Sequence, residues 1–278
     1  MAVVTTNTAA NSALRFLTQN SQEASNSIAR IASGSRIVRA SDDAAGLAIS
    51  ARLSADAAAL QQAGTNAAQG ASVLQVADGG LARISNVLER LQTLAAQSLS
   101  GVPSDNERRF IDAEFQQLLS EINGITATTS FNGTDLLDNA GSLSFFVGTE
   151  AGDTISADLD NLNAGGVNTF DASGLGLGSS SVDTVNNASA ALGDISTAIS
   201  TVSESRATLG ALVSRFEFRG EQIATTLENI QAANSSIADV DLAREQSALV
   251  SKNVLVQASV SALSQANQLP QTLLRVLQ

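Results

Sequence analysis

Apolar residues recur every seven positions through two long, proline-free stretches of this chain. In the first stretch the repeat consists of Leu53, Leu60, Ala67, Leu74, Leu81, Leu88 and Ala95. In the second it consists of Ala188, Ile195, Val202, Leu209, Phe216, Ile223, Ile230 and Ile237. A seven-residue apolar repeat forms a seam that another helix covers. The two stretches therefore predict a pair of long helices that close over each other.

A narrower stripe with the same period lies near each end of the sequence. Residues 1–40 predict a helix that carries Leu17, Ala24, Ile31 and Val38, with Leu14 and Ile28 beside them. A last helical stretch, over 236–278, carries Leu242, Leu249, Val256 and Leu263. A single helix with so narrow an apolar face buries too little surface to offset its loss of conformational entropy. We therefore expect each of these helices to be disordered alone and to fold against a partner.

Cap residues divide the helical regions further. Ser41 and the two acids after it predict the start of the first long helix, because they satisfy free N–H groups and the positive helix end. Pro103 ends that helix. Ser104 and Glu107 form a capping-box pattern, which predicts a further helix over 105–128.

The middle of the chain has a different pattern. Asn132 and Gly133 form a dipeptide that is typical of a tight hairpin turn. Short alternating segments over 142–147 and 154–159 predict two strands that form a hairpin. The helical period resumes near residue 182.

These elements predict a mainly α fold: a long antiparallel coiled-coil helical bundle, formed by the N- and C-terminal segments, with a small β-hairpin region in the middle. The predicted parts are a terminal helical domain of 1–40 and 236–278, a long-helix bundle domain of 41–130 and 182–235, and a small β and loop region of 131–181.

The composition removes most of the side chains that catalysis and metal binding use. The sequence has no His and no Cys, so it lacks the usual general base, the commonest metal ligand and a thiolate nucleophile. The only lysine, Lys252, follows Ser251 instead of the glycine that a phosphate-binding loop requires. We therefore expect a protein that is not an enzyme and that holds no cofactor or metal.

Charge and hydropathy exclude two further classes of partner. The formal net charge is −12, and no Lys or Arg occurs between Arg109 and Arg206. An acidic region of this length repels phosphate backbones, so we expect no nucleic-acid partner. No apolar run approaches the length of about 18 residues that a transmembrane helix needs, so we expect no membrane insertion. The first residues show neither the basic nor the apolar segment of a signal peptide.

Several segments resemble bacterial flagellins, in the order that the family has them. Residues 34–50 (GSRIVRASDDAAGLAIS) resemble the family's N-terminal signature, and residues 130–137 (SFNGTDLL) resemble the turn where its β region begins. Further matches in the C-terminal half are 206–212 (RATLGAL), 238–245 (ADVDLARE) and 265–275 (QANQLPQTLLR). The chain is similar to a compact flagellin without large outer domains.

The resemblance implies a structural subunit that polymerises with copies of itself into the helical filament of the bacterial flagellum and so serves swimming motility. It implies three partners: the flagellar type III export apparatus, an export chaperone and a filament cap. It also implies an extracellular location that is reached without a cleaved signal peptide. The family's terminal helices form the inner tube of the filament and are disordered in the monomer. A hook–filament junction protein of the same export pathway is one alternative, and a soluble coiled-coil signalling module is another.

Since the terminal stripes have no thick core to enter, we expect most of them to bury against neighbouring subunits. The predicted interface residues are Leu14, Leu17, Ile28, Ile31, Arg36, Val38, Arg39, Asp42, Asp43, Leu242, Leu249, Val256, Leu263, Leu269 and Leu274. Two interpretations of Asp42 and Asp43 stay open. They are either charges at a helix start or partners of Arg36, Arg39 or Arg52 across a subunit boundary.

The resemblance also implies a contact surface for an animal innate-immune receptor. In this sequence Arg90, Leu94 and Glu114 match that surface. Thr93 stands where many family members have Glu. We therefore expect weak or absent receptor activation.

Overall fold

The computed structural model describes residues 6–138, 141–159 and 169–276, with the side chains of the last helix described as far as residue 268. Within those ranges the helices are α1 (Thr8–Ser33), α2 (Ala44–Leu99), α3 (Asp105–Thr128), α4 (Val185–Ala238) and α5 (Leu242–Val276). The strands are β1 (Ser130–Phe131), β2 (Thr134–Asp135), β3 (Ser142–Phe146) and β4 (Thr154–Asp158). The predicted mainly α fold with a small β region is confirmed.

The chain divides into two compact units. Unit 1 consists of residues 1–57 and 228–278, and unit 2 consists of residues 58–227. The three-part domain division made from the sequence stays a prediction.

In unit 2, α2 and α4 run antiparallel and share the seven-residue seam that the sequence predicts. Arg206 Nε on α4 lies 2.8 Å from Asp78 Oδ1 on α2. Further along the pair, the ring of Phe216 lies so close to Gly70 that a Cβ there would collide with it. The seam is filled by apolar side chains that are fully buried, among them Leu74, Leu81, Leu88, Ile195, Leu209 and Phe216.

Two β-hairpins belong to unit 2. β1 and β2 pair antiparallel across the Asn132-Gly133 turn, with Phe131 opposite Thr134. β3 and β4 pair antiparallel with Leu143 opposite Ala157. The ring of Phe145 meets the ring of Phe216 edge to face with centroids 5.3 Å apart, which packs this hairpin on α4.

The turn from α2 to α3 is held by one buried arginine. The Arg108 guanidinium donates to the carbonyls of Ser98 and Ser100, at 3.0 and 3.1 Å, and so satisfies free carbonyls at the end of α2. The predicted capping box is present, since a Glu107 carboxylate oxygen accepts from the Ser104 N–H at 2.6 Å. Side chains therefore bond to free backbone groups both at the end of α2 and at the start of α3.

In unit 1 the first helix is shorter than predicted. The sequence predicts a helix to residue 40, whereas α1 ends at Ser33. Gly34 has φ 71°, a left-handed conformation that ends the helix with the Gly34 N–H bonded to the Arg30 carbonyl. Residues 34–43 form a connector to α2 instead, which moves Val38 off the helical stripe.

Candidate subunit interface

The two terminal helices pack against each other antiparallel within unit 1. Near the start of α1, Asn7 Nδ2 donates to the Ala266 carbonyl at 2.8 Å. Further along α1, Lys252 Nζ donates to Ser27 Oγ at 3.1 Å. Because residue numbers rise on α1 as they fall on α5, the contacts follow one antiparallel seam.

The tightest part of this seam is built from small residues. Ala24, Ser27 and Ala266 are all less than 10% exposed, which brings the helix backbones close together. Two ion pairs lie near Ala24 and Ser27. Arg30 Nη1 lies 3.8 Å from Glu245 Oε1, and Lys252 Nζ lies 4.0 Å from Glu23 Oε2.

The larger seam residues are only partly covered. Five of the predicted interface residues line the seam and are half-buried: Leu17, Ile31, Leu249, Val256 and Leu263. A two-helix pair has one buried face per helix, so these side chains keep part of their surface open to a further partner. The predicted residues Leu269 and Leu274 lie beyond residue 268, the last whose side chain is described.

Other predicted residues are more exposed than those of the seam. Leu14, Ile28 and Leu242 are 51%, 54% and 56% exposed. Sequence reasoning missed further members of this exposed set: Phe16, Val250, Val254, Leu255 and Val260. We call these eight residues the outer apolar set. Single exposed apolar residues are ordinary, but a set of eight on two paired helices makes these helices the candidate contact surface.

The signal that could have found Val250 and Val254 is their spacing of four. Residues four apart lie one above the other on a helix, and this pair lies on the side of α5 opposite Leu249, Val256 and the seam. The seven-residue repeat predicts only one apolar face of α5, and Val250 and Val254 do not belong to it. A second apolar face is typical of a helix that contacts partners on two sides.

The connectors between the helices form a second candidate region in unit 1. The Arg36 N–H donates to the Ala238 carbonyl at 2.7 Å, and the Val240 N–H donates to the Gly34 carbonyl at 3.1 Å. The Arg36 guanidinium donates from Nη2 to the Ile237 carbonyl at 2.8 Å. These bonds tie residues 34–36 to the junction of α4 and α5.

The two acids at the start of α2 have partners in their own chain. Asp43 Oδ1 accepts from the Gly46 N–H at 2.8 Å, which caps the helix. Asp43 Oδ2 lies 3.4 Å from Arg36 Nη2. Asp42 Oδ2 accepts from the N–H groups of Arg39 and Val38, at 3.0 and 3.2 Å.

The bonds to Asp42 account for its lowered pKa. The N–H of Arg39 stabilises the ionised form of Asp42, with a smaller contribution from the N–H of Val38, and holds the pKa of Asp42 below its ordinary value. Arg52 lies 3.9 Å from Asp56 on the same helix. The helix-start interpretation therefore describes the single chain, in which the Arg36 guanidinium is bonded to Ile237 and Asp43, while the side chains of Val38 and Arg39 are exposed.

The predicted receptor surface in unit 2 is brought together in part. Arg90 Nη2 on α2 lies 2.6 Å from Glu114 Oε1 on α3, and both side chains are about half exposed. Leu94 is only 1% exposed and belongs to the core. A protein that docks on this face of the folded chain therefore meets Arg90 and Glu114 but not Leu94.

Across residues 6–138, 141–159 and 169–276, no group of three or more acidic side chains could hold a metal ion. Within the same ranges, no helix has both the length and the apolar character to cross a membrane. The candidate region is built for helix packing, with apolar faces, small seam residues and partly buried ion pairs.

Family models match most of the chain. The model of the bacterial flagellin N-terminal helical region matches residues 4–142. The model of the bacterial flagellin C-terminal helical region matches residues 192–277. Both terminal helices, and therefore all eight residues of the outer apolar set, lie within the matched ranges.

Individual relatives match from end to end. The chain is 36% identical over 276 residues to a flagellin of Halalkalibacterium halodurans, with 99% of each chain covered. It is 34% identical to a flagellin of Bacillus subtilis, with 98% of each chain covered. It is 33% identical to a flagellar filament 33 kDa core protein of Treponema phagedenis, with 99% of each chain covered.

Solved structures agree on the fold. The crystal structure of a Bacillus cereus flagellin has a TM-score of 0.50 and 26% identity, over 61% of this chain and 94% of that chain. A flagellar hook-associated protein from Vibrio parahaemolyticus has a TM-score of 0.58 over 71% of this chain, but only 14% identity. The second likeness shows the fold alone.

Proposed function

This chain belongs to the bacterial flagellin family, and we propose that the outer apolar set and the half-buried seam residues of unit 1 are its contacts with neighbouring subunits. Flagellins are structural proteins, and this chain is a structural subunit of the flagellar filament, which serves motility. The proposal concerns which surfaces of the chain hold that filament together.

The observation that carries the proposal is the exposure of apolar side chains on both members of the α1 and α5 pair. Full burial of one valine or leucine contributes about 1.5–3 kcal/mol. In a filament each subunit repeats the same contact, so modest burial per side chain accumulates along the assembly. The exposed face of unit 1 therefore supports a role in polymerisation.

We propose the same assignment for the predicted interface residues of the connector. Arg36, Val38 and Arg39 are exposed, although the Arg36 guanidinium is already bonded to Ile237 and Asp43 within the chain. An exposed ion pair contributes only about 0–1 kcal/mol, so these residues would set the register between subunits more than the strength of the contact.

The domain division follows from this assignment. Residues 1–40 and 236–278 would form the inner tube of the filament and would order fully only on polymerisation, since their helices cover each other incompletely. Residues 41–130 and 182–235 would form the bundle outside that tube, with 131–181 at its outer end.

Membership of the family supports three further partners and a location. We propose that the chain leaves the cell through the flagellar type III apparatus without a cleaved signal peptide, that an export chaperone binds it before export, and that it polymerises under a filament cap. Its location would then be extracellular. These partners are expectations from the family.

The experiment is electron microscopy of the purified, heat-dissociated chain after addition of filament seeds, beside a variant that lacks residues 1–40 and 236–278. Long uniform filaments from the intact chain alone would support contacts at the termini. The shortened variant should keep a cooperative unfolding transition from the core of unit 2. Filaments from the shortened variant would overturn the assignment, and discrete particles from both chains would argue for a junction protein.

A further inference from the structure

The sequence contains two Asn-Gly dipeptides, and the fold holds them in opposite conformations. Asn123-Gly124 lies inside α3, whereas Asn132-Gly133 forms the two-residue turn between β1 and β2. The two sites have the same reacting residues and lie nine positions apart in the sequence. A difference in their chemistry must therefore come from the fold.

At the turn, the asparagine and the glycine are both exposed. Asn132 has φ 50° and Gly133 has φ 78°, as expected for the left-handed residues of a tight hairpin turn. Within the described residues, the side chain of Asn132 and the N–H of Gly133 have no hydrogen-bond partner. A Cβ built on Gly133 would meet nothing within 4 Å, so the turn is open on that side.

The hairpin that carries this turn is short. β1 and β2 have two residues each, and both strands are exposed. A two-stranded hairpin of this size is marginally stable, so it opens locally at low cost while the rest of the unit stays folded. Opening frees the backbone of Asn132 to rotate.

The helical dipeptide is held at both reacting groups. Asn123 Oδ1 accepts a hydrogen bond from the Ala172 N–H at 2.8 Å, which fixes the side-chain amide. Gly124 is an interior residue of α3, so its N–H is bonded within the helix. The residues on either side of the dipeptide, Ile122 and Ile125, are buried, so this turn of the helix opens only with loss of core contacts.

We propose that Asn132 is a site of spontaneous deamidation in the folded chain and that Asn123 is protected. The Gly133 nitrogen attacks Cγ of Asn132, a new C–N bond forms, and the side-chain nitrogen leaves as ammonia with the proton from Gly133. The product is a five-membered succinimide. Water then opens this ring at one of its two carbonyls, which yields aspartate or isoaspartate.

Either product changes the hairpin. Aspartate adds one negative charge three residues before the exposed Asp135. Isoaspartate adds one backbone carbon to a turn whose register places Phe131 opposite Thr134. The next residues, Leu136 and Leu137, are buried at 1% exposure, so a lengthened turn pulls on anchored side chains. The reaction needs no co-reactant other than water, so at a fixed pH and temperature the converted fraction rises with the time since the subunit folded.

The test compares the two sites within one peptide. The folded protein is incubated at mildly alkaline pH, then cut after glutamate so that residues 122–150 are released with both dipeptides. Tandem mass spectrometry locates the mass difference between –OH and –NH2, and an isoaspartyl methyltransferase assay identifies the isoaspartate. In the folded chain we expect Asn132 to convert about tenfold faster than Asn123 or more.

Two controls keep the proposal open to refutation. In urea both sites should convert at similar rates, because the fold no longer distinguishes them. The variant Asn132→Ser should remove the early signal and leave Asn123 unmodified. Equal rates in the folded chain, faster conversion of Asn123, or no conversion of either site while the urea sample reacts would each overturn the proposal.

Discussion

Unit 2 closes its apolar side chains into a core, whereas unit 1 leaves most of its large apolar side chains partly open. Leu81, Leu88 and Phe115 in unit 2 are fully buried. In the described part of unit 1 the buried apolar side chains are Ala24, Ile37 and Ala266, of which two are alanines. Unit 2 exposes apolar residues as well, such as Phe218, but outside a core that is already complete.

This difference shows how one repeat pattern serves two purposes. A seven-residue stripe predicts a helix partner but not whether that partner belongs to the same chain. In unit 2 the chain supplies helices that bury the stripe fully. In unit 1 it supplies one partner helix, which leaves the larger residues of the stripe half-buried. The stability of unit 2 is therefore a property of the chain, while we propose that unit 1 gains further stability on assembly.

The largest expected effect separates the two kinds of leucine. Leu88→Ala removes a fully buried side chain from unit 2 and should lower the free energy of unfolding by about 2–5 kcal/mol. Leu14→Ala in unit 1 should change it by about 0.5 kcal/mol or less, because Leu14 is exposed in the single chain. Urea unfolding of the monomers measures both, and equal losses would remove the contrast between the units.

In polymerisation, substitutions in unit 1 should have a larger effect than substitutions in unit 2. The double variant Val250→Ser with Val254→Ser should raise the critical concentration for seeded polymerisation about tenfold or more, since tenfold corresponds to about 1.4 kcal/mol of lost burial. The matched control, Val76→Ser with Val185→Ser, changes two exposed valines of unit 2. Light scattering measures the critical concentration, and an equal shift in the control would show that assembly is not centred on unit 1.

Loss of a helix cap should also affect the two units differently, with smaller changes in free energy. Ser104→Ala removes the cap of α3 and should cost unit 2 about 1 kcal/mol in unfolding. Asn7 caps α1 through its Oδ1 and bonds to α5 through its Nδ2, so Asn7→Ala should weaken seeded polymerisation instead. An unfolding loss from Asn7→Ala as large as that from Ser104→Ala would show that α1 is already stable in the monomer.

The smallest effect concerns pH and the turn of the β3–β4 hairpin. The N–H of Glu150, followed by that of Thr149, stabilises ionised Asp153 and holds the pKa of Asp153 below its ordinary value of 3.8. A lowered pKa stabilises the folded turn above pH 3.8, and this contribution is lost as the pH falls through the lower folded value.

Amide hydrogen exchange in the turn should therefore quicken on acidification in the intact chain. Asp153→Asn should make the exchange insensitive to pH after correction for the intrinsic rate. The control Glu150→Gln keeps the carboxylate of Asp153 and should keep the response. A response that survives in Asp153→Asn would assign it to another group.

The sequence predicted the helix pairing well, because seven-residue stripes act over whole helices and average out local exceptions. It also located the capping box of Ser104 and the turn at Asn132, where the residue types themselves dictate the backbone. It extended α1 too far, because the residues after Gly34 continue the apolar spacing while the backbone turns away to meet the α4–α5 junction.

The candidate surface was less predictable. Val250 and Val254 were missed because a stripe search assigns one face to each helix, and exposure on the other face depends on which helices the chain brings alongside. The bond from Arg36 to the Ile237 carbonyl joins residues about 200 positions apart, and no local pattern signals it. Long-range contacts of this kind need the fold itself.

The seam between α1 and α5 contains a side chain that chemical labelling can follow. Lys252 is the only lysine of the sequence, and its ammonium group is held between Ser27 and Glu23 with 23% of the side chain exposed. An amine-selective dye therefore has a single lysine side chain to react with, and most of that side chain is buried in the seam. The rate at which Lys252 takes up such a dye reads out, in solution and without any mutation, how often the two ends of the chain part.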